Sequence, residues 1–293
     1  MARATRVNAK RPRLGQNFLA DPRAAERIVE ALGDLSQSTV VEIGPGRGAL
    51  TDLLAQRARR LIAIEVDRVL AAQLGLRYAR QGNVEIVEAD ILSVDLSSII
   101  AMEPSQLVPR RVGGKAIVVG NLPYYITSPI LMRLFTFANR IERIVILVQR
   151  EVATRIAARP GGRDYGVLSA TAQLYARVEK LFTLSPAAFS PSPKVHSTLL
   201  RLTISPRDAE LGLAAGEFVE FLKLGFGQKR KTLLNNLKSR YGEAAVLRAL
   251  AEAGIRRDAR AEALALEKTA AVFRNLQDQA PSVAGFGRAS TSR

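Results

Sequence analysis

The chain has 293 residues, 47% of them apolar, enough for one large domain and a small one. Its 43 basic and 27 acidic residues give a net charge of +16, a surplus that favours polyanionic partners, with nucleic acid first among them. The absence of cysteine excludes disulfides, thiolate nucleophiles and cysteine–zinc sites, and a single histidine, His196, argues against a multi-histidine metal site or a serine triad, so no metal is expected.

The first thirteen residues form an arm with five basic side chains and no acidic one. No apolar segment follows it, so it does not read as a secretory signal. No run of about 18 apolar residues occurs, and no membrane span is expected. The protein reads as soluble, cytoplasmic and monomeric. Ala24 to Leu32 has a helical pattern, with Asp21 placed to cap it and Pro22 at its first position. Val40 to Ile43 predicts a first strand, Ala49 to Arg57 a helix, Leu61 to Glu65 a second strand and Val84 to Val87 a third. Ala116 to Val119 and Ile144 to Val148 predict a fourth and a fifth. These runs are β-branched and nearly continuous, as in parallel strands covered on both faces, and their alternation with helices predicts a doubly wound, Rossmann-like α/β sheet.

Gln173 to Leu184 and Thr198 to Ile204 flank a segment with three prolines, Ser185 to Pro193, and predict an antiparallel finish to the sheet. Ser205-Pro206 breaks the pattern and suggests a boundary between the Rossmann-like domain over 14–204 and a helical domain over 205–278. In the latter, Phe218, Phe221, Leu222, Leu233, Leu234 and Leu237 recur at roughly helical spacing. The last fifteen residues, 279–293, are rich in Gly, Ser and Ala and are expected to be disordered.

Two constellations carry chemistry. Gly44, Gly46 and Gly48 lie between the first strand and a helix, where glycine lets backbone turn tightly and approach a nucleotide. Alone, this turn fits NAD and S-adenosylmethionine equally well. Glu65, ending the second strand, stands where a ribose-binding acid belongs, and Asp90, after the third, can accept from an adenine amine. The second constellation, Asn121-Leu122-Pro123-Tyr124, follows the fourth strand and therefore lies at the same sheet edge. An exocyclic adenine amine is a poor nucleophile because its lone pair is delocalised. The Asn121 side-chain oxygen can accept one N–H and a backbone carbonyl near Leu122 the other, favouring a more tetrahedral nitrogen. Pro123 stiffens the loop, and Tyr124 can stack on the base.

With Leu14-Gly15-Gln16-Asn17-Phe18-Leu19 near the start and Phe189-Ser190-Pro191-Ser192-Pro193-Lys194-Val195 late in the chain, these motifs resemble, in order, those of the rRNA adenine N6-dimethyltransferase family, over about Arg13 to Ala270. The match is nearest to its bacterial small-subunit branch. The resemblance implies S-adenosylmethionine as cofactor, held by Asn17, Leu19, Gly44, Gly46, Glu65, Asp90 and Asn121. It implies a catalytic group of Asn121, Leu122, Pro123, Tyr124 and Phe189, with Tyr124 and Phe189 sandwiching an extruded adenine. It also implies the target: dimethylation of two adjacent adenosines in the 3′-terminal hairpin loop of 16S rRNA, within an assembling small subunit. The family usually has Asp where this chain has His196, and no role is assigned to that position.

Lys223 to Arg240 carries six basic residues and no acidic one. Lys223, Lys229, Arg230 and Lys231 are the expected RNA contacts, on a helical phosphate-binding face. Three other readings remain: a 23S rRNA adenine methyltransferase of the antibiotic-resistance type, a NAD-dependent dehydrogenase, and a non-catalytic RNA-binding assembly factor.

Overall fold

The computed structural model describes residues 17–101, 114–123 and 125–279. The basic arm, Leu14 to Gln16, Tyr124 and residues 280–293 of the expected tail lie outside them. Nine strands occur among the described residues: β1 (Phe18–Leu19), β2 (Thr39–Ile43), β3 (Arg60–Glu65), β4 (Val84–Glu88), β5 (Ala116–Asn121), β6 (Ile141–Gln149), β7 (Ala176–Leu184), β8 (Phe189–Ser190) and β9 (Ser197–Ile204). The chain divides into two compact units, one comprising the residues up to Ala157 with Tyr175–Ser205, the other Ala158–Leu174 with the described residues from Pro206 on.

The first unit is a Rossmann-like α/β domain. Its seven-stranded sheet has the order β4-β3-β2-β5-β6-β9-β7. The first five strands run parallel, and β9 pairs antiparallel with both β6 and β7. Val40, Val41, Leu61, Ile62, Ile117 and Val118 are fully buried, as expected of strands covered on both faces. The helices start where the sequence supplies caps. Asp21 accepts from the Arg23 N–H (2.9 Å) ahead of Pro22–Glu30, and Asp67 from the Val69 and Leu70 N–H groups (2.9 and 3.2 Å) ahead of Arg68–Tyr78. Buried Arg60 donates through its two terminal nitrogens to Glu85 (2.8 Å) and to the carbonyls of Ile99 and Ile100 (3.2 Å each), so the charge that enters the core on β3 is paired.

Two features depart from the sequence reading. The strand expected from Gln173 begins at Ala176, because Val167–Tyr175 is a helix whose Leu174 is fully buried and whose Gln173 side chain donates to the Ala158 carbonyl (2.8 Å). Residues 158–174, expected in the sheet domain, pack with the second unit: Gly161 N–H donates to Glu262 O (2.7 Å) and Arg207 N–H to Leu174 O (2.9 Å). That second unit is helical, with Ala215–Gly225, Leu233–Tyr241, Glu243–Glu252 and Leu266–Asp278 as its main elements. Its core is aromatic: the Phe273 ring lies 5.4 Å from that of Phe218 and 5.2 Å from that of Phe221.

Candidate active site

The chain builds β2, β3 and β4 towards one edge of the sheet, then returns past β2 to lay down β5 and β6 on the other side. Where strand order reverses, the loops leaving β2 and β5 part and open a crevice at the carboxyl ends of the strands. The glycine turn leaves β2 there, and Asn121 ends β5 there. The cleft is lined by Asn17, Leu19, Glu42, Gly44, Gly46 and Asn121 among others.

Gly44 and Gly46 have φ of 65° and 59°, the left-handed region that only glycine enters freely. At Gly46 a side chain is also excluded by contact, since a Cβ would lie 2.9 Å from the Phe18 ring. That ring is held in turn by the Arg47 guanidinium, 4.6 Å from its centre. Behind the turn, Glu65 is 1% exposed. Its Oε2 accepts from Gly46 N–H (3.0 Å) and its Oε1 from Asp67 N–H (2.9 Å). Each carboxylate oxygen retains a lone pair, the capacity a ribose diol requires. Asp90 follows the neighbouring strand, two residues after the end of β4. It is exposed, accepts from Leu92 N–H (2.9 Å), and does not line the cleft itself; next to it, Ala89 N–H donates to Glu65 O (3.0 Å).

Asn121 is oriented by the N-terminal segment: its Nδ2 donates to the Asn17 carbonyl (2.9 Å). A backbone carbonyl can only accept, so the amide nitrogen must face it, and Oδ1 is left as the acceptor. Leu122 is buried and anchored by its N–H to Leu147 O (3.1 Å). The Pro123 carbonyl accepts from the Thr127 hydroxyl (3.1 Å) and the Ile126 N–H (3.3 Å), which leaves the Leu122 carbonyl as the candidate second acceptor. The structure thus gathers Asn17, Leu19, Gly44, Gly46, Asn121, Leu122 and Pro123 round one cleft, with Glu65 behind it.

Phe189 stands differently from expectation. It is 4% exposed and belongs to the same apolar core as Leu19, Leu184 and Ala188. The cause is a short antiparallel ladder: β1 pairs with β8, Leu19 opposite Phe189, and Ala20 N–H donates to Ala188 O (2.8 Å). A ring so enclosed offers no free face to a base in this conformation. His196 is exposed, and its carbonyl accepts from Arg150 N–H (3.0 Å).

In the helical unit, Lys229, Arg230 and Lys231 are exposed, but on the turn between helices Ala215–Gly225 and Leu233–Tyr241 rather than on a helix. The first helix stops at Gly225, and Thr232 caps the second by accepting from Asn235 N–H (3.2 Å). The Asn236 amide braces the turn through the carbonyls of Gly225 (2.6 Å) and Gln228 (3.3 Å). Lys223 sits apart, paired with Glu220 at 2.7 Å.

Three residues of this architecture escaped the sequence reading as site residues. Phe18 and Glu42 were visible only as members of motifs, Glu42 at the head of the glycine motif Glu42 to Gly48 and with no assigned role. Gly120 left a signal, a glycine inside a β-branched run, which marks close backbone approach. A Cβ there would lie 2.7 Å from the Ile43 carbonyl, so only glycine lets β5 carry Asn121 this close to the exit of β2. We expect Gly120→Ala to fold, by circular dichroism, yet to lower the rate constant of the step that Asn121 serves by about 10²-fold through its misplacement.

Comparison with known proteins agrees with this geometry. The ribosomal RNA adenine dimethylase family matches residues 7–278. A ribosomal RNA small subunit methyltransferase A of Koribacter versatilis is 59% identical over 271 residues, covering 92% of this chain and 95% of that protein. Its namesake in Acidobacterium capsulatum is 55% identical, covering 92% of each. Among solved structures, the 23S rRNA methyltransferase ErmE superposes with a TM-score of 0.62 at 28% identity, over 89% of this chain and all of that one. A dimethyladenosine transferase from Plasmodium falciparum superposes at 0.70 over 89% of this chain and 98% of that one; at 22% identity it speaks to the fold alone. Sheet order, glycine turn, oriented asparagine and relatives converge: the chain belongs to the ribosomal RNA adenine dimethylase family.

Proposed function

We propose that the protein uses S-adenosylmethionine to dimethylate the N6 amines of two adjacent adenosines in the 3′-terminal hairpin loop of 16S rRNA, acting on a small-subunit precursor in the cytoplasm. The observation that carries the reading is the Asn121 amide, pinned through Nδ2 to the Asn17 carbonyl with its oxygen left to accept. The names and identities of the small-subunit relatives support the choice of target over the large-subunit alternative. The intact Asn121-Leu122-Pro123 segment supports an enzyme over a non-catalytic assembly factor.

S-adenosylmethionine, when bound, supplies an electrophilic methyl group. The groups of the cleft suit it: Glu65 for the ribose, the glycine turn for close backbone approach, and Asn17 and Leu19 at the wall that β1 forms. Asp90, just after the adjacent strand, is the proposed acceptor for the adenine amine of the cofactor. The protein's own work is to prepare the nucleophile. Asn121 Oδ1 accepts one N–H of the target amine and the Leu122 carbonyl the other, which draws the nitrogen towards a tetrahedral shape. Both dipoles also stabilise the positive charge that develops there. No strong base is needed, because the proton leaves after the nitrogen has become cationic. Tyr124, directly after Pro123, is proposed to stack on the extruded base; Phe189 can join it only if β1 parts from β8.

Lys229, Arg230 and Lys231 are the proposed phosphate contacts, with Lys223 a lesser one because Glu220 already neutralises it. Their joint replacement by alanine should weaken binding to small-subunit RNA and flatten its dependence on salt by roughly two to three units of log–log slope, as measured by filter binding.

Two experiments test the reading. Offered unmethylated small subunits and large-subunit RNA side by side with labelled S-adenosylmethionine, the enzyme should place dimethyladenosine at two neighbouring positions near the 16S 3′ end, located by mass spectrometry. Label confined to 23S rRNA would transfer the protein to the other branch. Asn121→Ala should abolish methyl transfer and leave RNA binding largely intact; equal loss of both would remove Asn121 from the proposed role.

A further inference from the structure

Glu42 lies within β2, opposite Val119 of β5, and is 1% exposed. It lines the cleft beside the glycine turn, and its Oε2 has no hydrogen-bond partner among the described residues. Buried polar atoms are nearly always satisfied, so an orphaned carboxyl oxygen at the wall of a binding cleft points to a ligand. Among the described residues, the charged groups that act on it are acidic. Glu65 approaches from β3 and Asp52 from helix Thr51–Arg57, both of like charge. Asp52 is already occupied by Arg77 (2.5 Å) and by the Tyr78 hydroxyl, from helix Arg68–Tyr78. Arg47, on the turn, is held against the Phe18 ring. The β5 side contributes apolar Val119 and Gly120.

Burial pushes the Glu42 carboxyl up to about 8, and Glu65 and Asp52 act in the same direction. The Thr51 hydroxyl favours the charged form but falls short of a hydrogen bond. Without a cation, Glu42 therefore keeps its proton at neutral pH.

We propose that Glu42 is the proton-linked counter-ion of the bound cofactor, ionising when a cationic group of S-adenosylmethionine, its methionine ammonium or its sulfonium, enters the cleft. This rests on the assignment of the cleft as the cofactor site. The carboxyl O–H bond breaks, the proton passes to solvent, and the carboxylate remains paired with the cation. Cofactor binding then releases a proton. The sign of the pH dependence follows: below about 8 each ligand bound must displace that proton, so affinity rises with pH, by at most about tenfold per unit, and levels off above it.

The test is isothermal titration of S-adenosylmethionine into the wild type and into Glu42→Gln, at about pH 6.5 and about pH 8, in buffers of different ionisation enthalpy. Wild type should release nearly one proton at the lower pH and bind more tightly at the higher. Glu42→Gln, which copies the neutral carboxyl but cannot ionise, should release none, show a flat pH profile and therefore bind more weakly than the wild type at the higher pH. S-adenosylhomocysteine, which keeps the ammonium and lacks the sulfonium, separates the two cations: release with both ligands assigns Glu42 to the ammonium, release with S-adenosylmethionine alone to the sulfonium. Equal proton release by wild type and Glu42→Gln would overturn the proposal while leaving the cofactor site in place. Failure of the wild type to bind S-adenosylmethionine at all would overturn the site itself. Carbon-13 detection of the Glu42 carboxyl gives an independent reading, a titration near 8 that the cofactor moves to lower pH.

Discussion

The reversal of strand order between β2 and β5 is the constraint on which the site depends. Parallel strands in sequence would have closed the sheet with loops packed side by side; the return past β2 leaves a gap at the carboxyl edge. The glycine turn is delivered to that gap by β2 and Asn121 by β5, with Glu65 of β3 behind the turn and Asp90, after β4, outside the cleft lining. The narrowness of the crossing is itself encoded, in Gly120, whose missing side chain lets the Ile43 carbonyl approach.

Backbone groups set the geometry of the side chains. Glu65 is fixed by two N–H donors, one of them in the turn that it supports, and Asn121 by the Asn17 carbonyl. Such contacts fix orientation at little cost in side-chain entropy, because the strands already hold the backbone in place. They also tie the N-terminal segment into the site from both sides, through Asn17 to Asn121 and through the β1–β8 ladder to the loop that carries Phe189. Glu42 is the exception, a carboxyl that the fold leaves unsatisfied. Its native form binds a proton more tightly than the unfolded chain does. Stability from this group is therefore greatest at low pH and declines as pH rises from the ordinary glutamate range of 4.5 towards 8. Fold stability is given up at the position where a cationic ligand could restore it.

Much of the sheet was legible because long, continuous β-branched runs have one reading. The five parallel strands stand where the sequence put them, and so does the Asp21 cap. What escaped was short or contextual. Strands of two residues, β1 and β8, carry no periodicity, yet their pairing encloses the Phe189 ring. The start of β7 was misplaced because an apolar stretch through Leu174 suits either helix or strand until tertiary contacts decide. The basic cluster of Lys229 to Lys231 was read as helical from its neighbours, whereas Gly225 and the Thr232 cap interrupt the helix around it. Glu42 was invisible as a site residue because burial and the absence of a partner are properties of the fold and not of the spacing.

The most direct test of the account is a nuclear magnetic resonance titration of the labelled protein with S-adenosylmethionine, reading the backbone amides of Asn17, Gly46, Glu65 and Asn121 and the side-chain amide of Asn121. The account predicts that these signals shift together with one dissociation constant. Saturable shifts confined to residues away from the β2–β5 crevice, with these five unmoved, would contradict it.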